Sequence, residues 1–126
     1  MPQQTNASSD AITTPVLTTL SSTTPDSLRI FALQVAREEQ VSPYAMVYVL
    51  SHESDWQPDA IGDHGLAHNV AQFHEQTFEW MKQTAIKQGK PYQNLSYNSS
   101  KDQIILLAWA IKNGEGNQWT TFRKMP

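Results

Sequence analysis

Aromatic and histidine side chains occupy only one part of this 126-residue chain. Every Trp, Tyr, Phe and His lies between Phe31 and the C-terminus, whereas residues 1–25 contain eleven Ser or Thr and no Lys or Arg. A segment with so little apolar surface cannot offset the conformational entropy that folding removes. We therefore predict a disordered Ser/Thr/Pro-rich tether over residues 1–25 and one folded domain over residues 26–126.

Charge and composition exclude several classes of protein. The formal net charge is −3, and binding to nucleic acid requires a concentrated basic surface, so no nucleic-acid partner is expected. The chain has no cysteine, which excludes disulfides and thiolate metal sites. Its longest apolar run, residues 104–111, is too short to span a membrane. Residues 1–25 have neither a basic start nor a continuous apolar stretch, so no signal peptide is visible.

Apolar residues recur at three- and four-residue intervals and predict a mainly α fold of four to six helices. Asp26 or Ser27 is expected to cap the first helix, which runs to about residue 39. The other helices are predicted from Pro43 to residues 54–56, over residues 75–88, over residues 101–112 and as a short turn within residues 119–124.

Two local details follow from the same spacing. The second helix is expected to bury its apolar and aromatic side chains, namely Tyr44, Val47, Tyr48 and Leu50. Ser100 and Gln103 have the spacing of a capping box and are expected to begin the fourth helix. That helix is apolar nearly all round, which predicts the central buried position.

Residues 57–73 break the helical spacing and hold most of the polar side chains that can take part in a reaction or bind a ligand. Gly62 and Gly65 stand there among Asp, His and Asn residues, so this segment is predicted to be irregular or weakly extended. Glu53 lies just before it, at the C-terminal end of an apolar helix. A half-buried carboxyl near the negative end of a helix favours its protonated form, which suits a general acid.

A longer pattern that begins at Glu53 adds to this interpretation. It reads Glu53-Ser54-x-Trp56-x-Pro58-x-Ala60-Ile61-Gly62-Asp63-x-Gly65-Leu66-Ala67-x-x-Val70-Ala71-Gln72-Phe73. This string resembles the lysozyme-like lytic transglycosylases, in which a Glu-Ser pair ends a helix and a glycine-containing stretch closes on a hydrophobic pair and Gln. The resemblance covers about residues 26–124, and it implies a lysozyme-like fold with a short β segment beside a cleft.

The resemblance also implies an activity. Glu53 matches the family's acid/base, which protonates the glycosidic oxygen between N-acetylmuramic acid and N-acetylglucosamine in peptidoglycan. The same group then takes a proton from the muramyl 6-hydroxyl, whose attack closes a 1,6-anhydro ring. Such an enzyme needs no metal and no cofactor. Its partner is the peptidoglycan glycan strand, so the expected location is extracytoplasmic: the periplasm, the cell wall or a phage particle. We expect a monomer.

Five further residues are predicted to bind substrate. Ser54 and Gln72 match family positions that support the acid and line the glycan site, and Phe73 follows the matched Gln. Asp63 and His64 are added because they are polar residues of the irregular segment. The family usually has Gly three residues before the Gln, where this chain has Asn69. Asn is the least costly replacement for Gly if the backbone there is left-handed.

Three alternatives remain open. Asp63, chosen over Asp55 and Asp59, can act as a general base across the cleft and make the protein an inverting hydrolase. The same fold can also hold a glycan without cleaving it. Finally, the four histidines within residues 52–74 can build a structural metal site. His64 and His68 have the spacing of two ligands on a helix, but Gly65 between them disfavours one.

Overall fold

The computed structural model describes residues 23–126, which form five α-helices and a small three-stranded sheet. This confirms the predicted mainly α fold with a weak β segment. Residues 1–22 of the tether predicted over residues 1–25 lie outside the described residues, so the tether stays a prediction. No helix within residues 23–126 combines the length and the apolar character that a membrane crossing requires.

The elements follow one another in the order expected from the spacing. The helices are α1 (Pro25–Glu39), α2 (Pro43–Ser54), α3 (Glu75–Lys87), α4 (Ser100–Lys112) and α5 (Thr120–Arg123). The strands β1 (Ile61–Gly62), β2 (Ala67–His68) and β3 (Phe73–His74) lie between α2 and α3. They pair antiparallel in the order β1-β2-β3, with Ile61 opposite His68 and Ala67 opposite His74.

Helix ends are determined by side-chain caps and by left-handed residues. Ser42 caps α2 as predicted, because its hydroxyl accepts a hydrogen bond from the N–H of Ala45 at 3.1 Å. The cap predicted for α1 was wrong: Thr24 caps it, and Pro25 occupies the first helical position, where no N–H is needed. Gly89, at φ +95°, follows the C-terminus of α3, as expected from the sequence.

The core is built around α4, which packs against α1 and α3. Its buried side chains cover most of its circumference, so its predicted central position is confirmed. Trp109 of α4 is only 1% exposed and donates its indole N–H to the side chain of Gln88, 2.9 Å away. A buried indole thus keeps a hydrogen-bond partner.

The buried face of α2 differs from the predicted one. Ala45, Met46 and Val49 are buried together with Leu50, whereas Tyr44 is 56% exposed. Packing of α2 between α1 and α5 favours the smaller side chains on the inner face. The rings of Tyr44 and Tyr48, at the outer face, contact each other at a centroid separation of 5.8 Å.

Candidate active site

A cavity of about 410 Å³ opens where the end of α2, the small sheet and the C-terminal segment meet. Four of the residues predicted from the sequence line it: Glu53, Asp63, Gln72 and Phe73. The remaining lining residues are Ala67, His74, Thr77, Gln118, Trp119 and Thr120. Ser54 and His64 are not among the lining residues.

Glu53 lies in the last turn of α2, half-buried at the wall of this cavity. The hydroxyl of Thr121 donates a hydrogen bond to Oε2 of Glu53 over 2.5 Å. Thr121 belongs to α5, which packs against α2, so one carboxylate oxygen has a defined direction. The helix stops directly after this turn, because Asp55 and Trp56 both have left-handed backbones, at φ +52° and +64°.

Ser54 connects the end of α2 to the loop that carries Gln72. Its hydroxyl lies 2.7 Å from the carbonyl oxygen of Val70, to which it donates, and it accepts a hydrogen bond from the N–H of Trp56. The indole of Trp56 is itself 1% exposed and donates to Ser51. Ser54 therefore holds the segment beside Glu53 in place. It was predicted to bind substrate, but it does not line the cavity.

The loop between β2 and β3 is held by Asn69. Its backbone is left-handed, at φ +73°, which confirms the conformational reason for Asn at this position. Its side-chain oxygen accepts hydrogen bonds from Ser100 Oγ and from the N–H of Val70, both at 2.7 Å. Its amide nitrogen donates to the carbonyl oxygen of Asn98 at 3.1 Å. The buried side chain of Asn69 therefore has hydrogen-bond partners for both its oxygen and its nitrogen.

The start of α4 supports this loop in place of the capping box predicted from the sequence. Ser99, not Ser100, caps the helix, because its hydroxyl accepts from the N–H of Asp102. Gln103 is fully buried; its Oε1 accepts from the N–H of Ala71 at 3.1 Å, and its Nε2 donates to the carbonyl of Tyr97. The capping-box prediction was wrong because these two polar side chains reach a distant loop, not their own helix terminus.

The side-chain amide of Gln72 is held at both ends: its nitrogen is hydrogen-bonded to the backbone, and its oxygen lies close to Gly62. Its Nε2 donates to the carbonyl oxygens of Ala60 at 3.0 Å and Asn69 at 2.8 Å. A Cβ atom at Gly62 would lie 2.6 Å from Oε1 of Gln72, closer than any normal contact. Gly62 has φ −139°, so glycine is favoured there by the close approach of the amide oxygen and not by backbone conformation.

Asp63 and His74 form a hydrogen-bonded pair at the cavity. Nε2 of His74 donates to Oδ2 of Asp63 over 2.6 Å, and both side chains are partly open to solvent. Asp63 and His64 have consecutive left-handed backbones, and this turn brings the Asp63 carboxylate over the end of β3. A His paired with Asp in this way can accept or release a proton at its ring.

Aromatic side chains close the floor of the cavity. Phe73 is 1% exposed and meets Phe78 and Trp119 edge-to-face, at ring separations of 5.3 and 5.0 Å. The indole N–H of Trp119 donates to the carbonyl oxygen of Ala71 at 2.7 Å. Phe73 therefore supports the cavity through packing, and Trp119 also fixes the loop that carries Gln72.

The other three histidines of the predicted cluster, His52, His64 and His68, do not line the main cavity. His64 is exposed outside the cavity lining, and His68 lies in β2 with Nε2 2.9 Å from the carbonyl oxygen of Gly65. His52 stacks on Tyr48 at 4.1 Å. Within residues 23–126 no group of three or more His, Cys, Asp or Glu side chains is arranged to hold a metal ion.

Sequence reasoning missed several lining or supporting residues, among them Thr121, Trp119 and His74. Thr121 and Trp119 lie near the C-terminus, at least 66 residues after Glu53, and no local pattern associates them with it. His74 was considered only as one of four clustered histidines. The two-residue alternation of a strand was the available signal, because in β3 Phe73 is buried and His74 is half-exposed.

Comparison of the chain with protein-family models, curated protein sequences and solved structures found no match.

Proposed function

We propose that this protein cleaves the β-1,4 bond between N-acetylmuramic acid and N-acetylglucosamine in peptidoglycan, as a lytic transglycosylase. The observation that carries the proposal is Glu53, half-buried at the wall of the cavity and oriented by Thr121. An oriented carboxyl at the wall of a cavity suits a reaction in which the substrate supplies its own nucleophile.

The reaction uses one carboxyl group twice, first as an acid and then as a base. Glu53 gives its proton to the glycosidic oxygen, and the bond from that oxygen to the muramyl C1 breaks. The 6-hydroxyl of the same muramyl residue then attacks C1 and returns its proton to Glu53, which leaves a 1,6-anhydro ring and a regenerated acid. Thr121 keeps the carboxyl directed through both steps, because its hydroxyl donates to Oε2.

The rest of the lining supports a neutral sugar ligand. Gln72, Gln118, Thr77 and Thr120 bring amides and hydroxyls to the cavity, and aromatic rings form its floor. In the described part of the chain no Lys or Arg lines it. A few placed polar groups over an apolar base are typical of sites that fix a ligand's orientation. Peptidoglycan lies outside the cytoplasmic membrane, so the proposed activity implies work in the periplasm, in the wall or on a phage particle.

Hydrolysis is a second candidate, because Asp63 and His74 line the same cavity as Glu53. In that reaction Glu53 gives its proton to the glycosidic oxygen and the bond from that oxygen to C1 breaks, while the Asp63–His74 pair takes a proton from the water that attacks C1. The product ends in a free reducing sugar. The two reactions differ in mass, since the 1,6-anhydro product is lighter by one water.

The deciding experiment is mass analysis of fragments released from purified walls by the parent, by Glu53→Gln and by Asp63→Asn. Anhydro products from the parent, lost in Glu53→Gln, support transglycosylation. Reducing products that disappear in Asp63→Asn support hydrolysis. Protein that binds walls without releasing fragments is a binding module, and equal release by parent and Glu53→Gln contradicts the proposed role of Glu53. Thermal unfolding of each variant shows whether it has folded.

A further inference from the structure

A second cavity of about 390 Å³ lies beside the first, and we call it the side groove. Leu66, His68, Glu75 and Tyr97 belong to its lining, and His74 lines both cavities. Because one side chain forms a wall of each, the two cavities adjoin at His74. A ligand that fills the main cavity can therefore extend a branch past His74 into the side groove.

The side groove offers more apolar surface than the main cavity. Leu66 is 61% exposed at its edge, so its side chain is open to a ligand. The hydroxyl of Tyr97 already donates to the carbonyl oxygen of Phe73 at 2.7 Å, so the ring of Tyr97 is the part available for contact. The ring of His68 meets that of Tyr97 edge-on at 6.0 Å. These groups suit small apolar side chains.

The side groove also carries a negative charge. Glu75 and Tyr97 both line the groove. Burial first, and then the neighbouring Glu75 carboxylate, raise the pKa of Tyr97. Within residues 23–126 no Lys or Arg forms an ion pair with Glu75, and none lines the groove. A carboxylate without a cationic partner beside an apolar wall attracts a ligand that brings its own ammonium group.

We infer that the side groove binds the peptide branch of the glycan strand whose backbone occupies the main cavity, with the branch's free amine on Glu75. This inference rests on the proposed function. Peptidoglycan carries such a branch on its muramyl residue, with small apolar side chains and an amine. The apolar wall, the charge and the shared residue His74 together match that ligand more closely than bare sugar, which has neither methyl side chains nor a cation.

The test measures binding by the full chain with Glu53→Gln, which prevents turnover. Two soluble probes are titrated by calorimetry: a disaccharide that carries an amine-containing stem peptide, and the same disaccharide with the peptide removed by an amidase. We expect the peptide-bearing probe to bind about tenfold more tightly. Adding Glu75→Gln is expected to remove most of that ratio, because the amide retains size but not charge.

Glu79→Gln is the matched control, since Glu79 is an exposed residue one turn further along α3 and does not line the groove. It is expected to keep the full ratio. Equal binding of the two probes, no binding of either, or the same loss in Glu75→Gln and Glu79→Gln would overturn the inference. Failure of the proposed function is read separately, as absence of fragment release from walls by the parent protein.

Discussion

Thr121 donates a hydrogen bond to the carboxylate of Glu53 across 68 positions of sequence. The contact joins the last turn of α2 to the short C-terminal helix α5. A four-residue helix has little stability of its own, so its position depends on packing against α2. The C-terminal segment thus contributes to the direction of the proposed acid.

Thr121→Val tests this contact, because valine keeps the shape of threonine and removes the hydroxyl. We expect kcat for wall cleavage to fall about tenfold, the loss typical of one hydrogen bond to a charged group. Rates of fragment release, measured beside thermal unfolding curves, check this. Thr121→Ser keeps the donor and is expected to restore most of the rate. A Thr121→Val protein as active as the parent would show that the bond does not orient Glu53.

Gly62→Ala tests the close approach of Gln72. The added Cβ lies 2.6 Å from Oε1 of Gln72, so the amide must move and its bonds to Ala60 and Asn69 weaken. We expect a loss of about 1–2 kcal/mol in the free energy of unfolding. Urea denaturation measures it. In a Gln72→Ala background the same change is expected to cost far less, and an equal cost in both backgrounds would contradict the contact.

Gln103→Leu tests the support of the loop from α4. Leucine fills the buried site but leaves the N–H of Ala71 and the carbonyl of Tyr97 without this partner. We expect the free energy of unfolding to fall by about 1–3 kcal/mol. The exposed Gln83, on α3, provides the control, and Gln83→Leu is expected to change stability by less than about 0.5 kcal/mol. Similar values for the two variants would contradict the assigned role.

Alkaline stability depends on Tyr92. Burial and the nearby Glu39 carboxylate raise its pKa from the ordinary 10 to about 12. Between those values the folded protein keeps a proton that the unfolded chain has lost. The contribution of Tyr92 to the free energy of unfolding is therefore fully present below pH 10 and is lost as pH rises towards 12. Tyr92→Phe cannot ionise, so we expect a shallower loss over this window in urea titrations, with exposed Tyr44→Phe as control. Parallel curves for parent and Tyr92→Phe would refute it.

Prediction from sequence succeeded where a property depends on neighbouring residues. The start of α2 follows from Ser42-Pro43 and the end of α3 from Gly89, because caps and left-handed glycines act within one helical turn. Prediction failed where the same residue spacing is compatible with two different sets of contacts. Ser100 and Gln103 have capping-box spacing, yet their side chains bind Asn69 and Ala71, about thirty residues away.

The amino-acid sequence by itself determined the helical character of residues 26–126, the break after Glu53 and the clustering of polar residues around Gly62, because periodicity, caps and breakers are short-range properties. Only the tertiary structure decided which of these residues share a cavity. It brought Thr121 to Glu53 and His74 to Asp63, and it turned Ser54 towards Val70. Contacts of this kind arise when distant segments pack on one core, and no spacing along the chain encodes them.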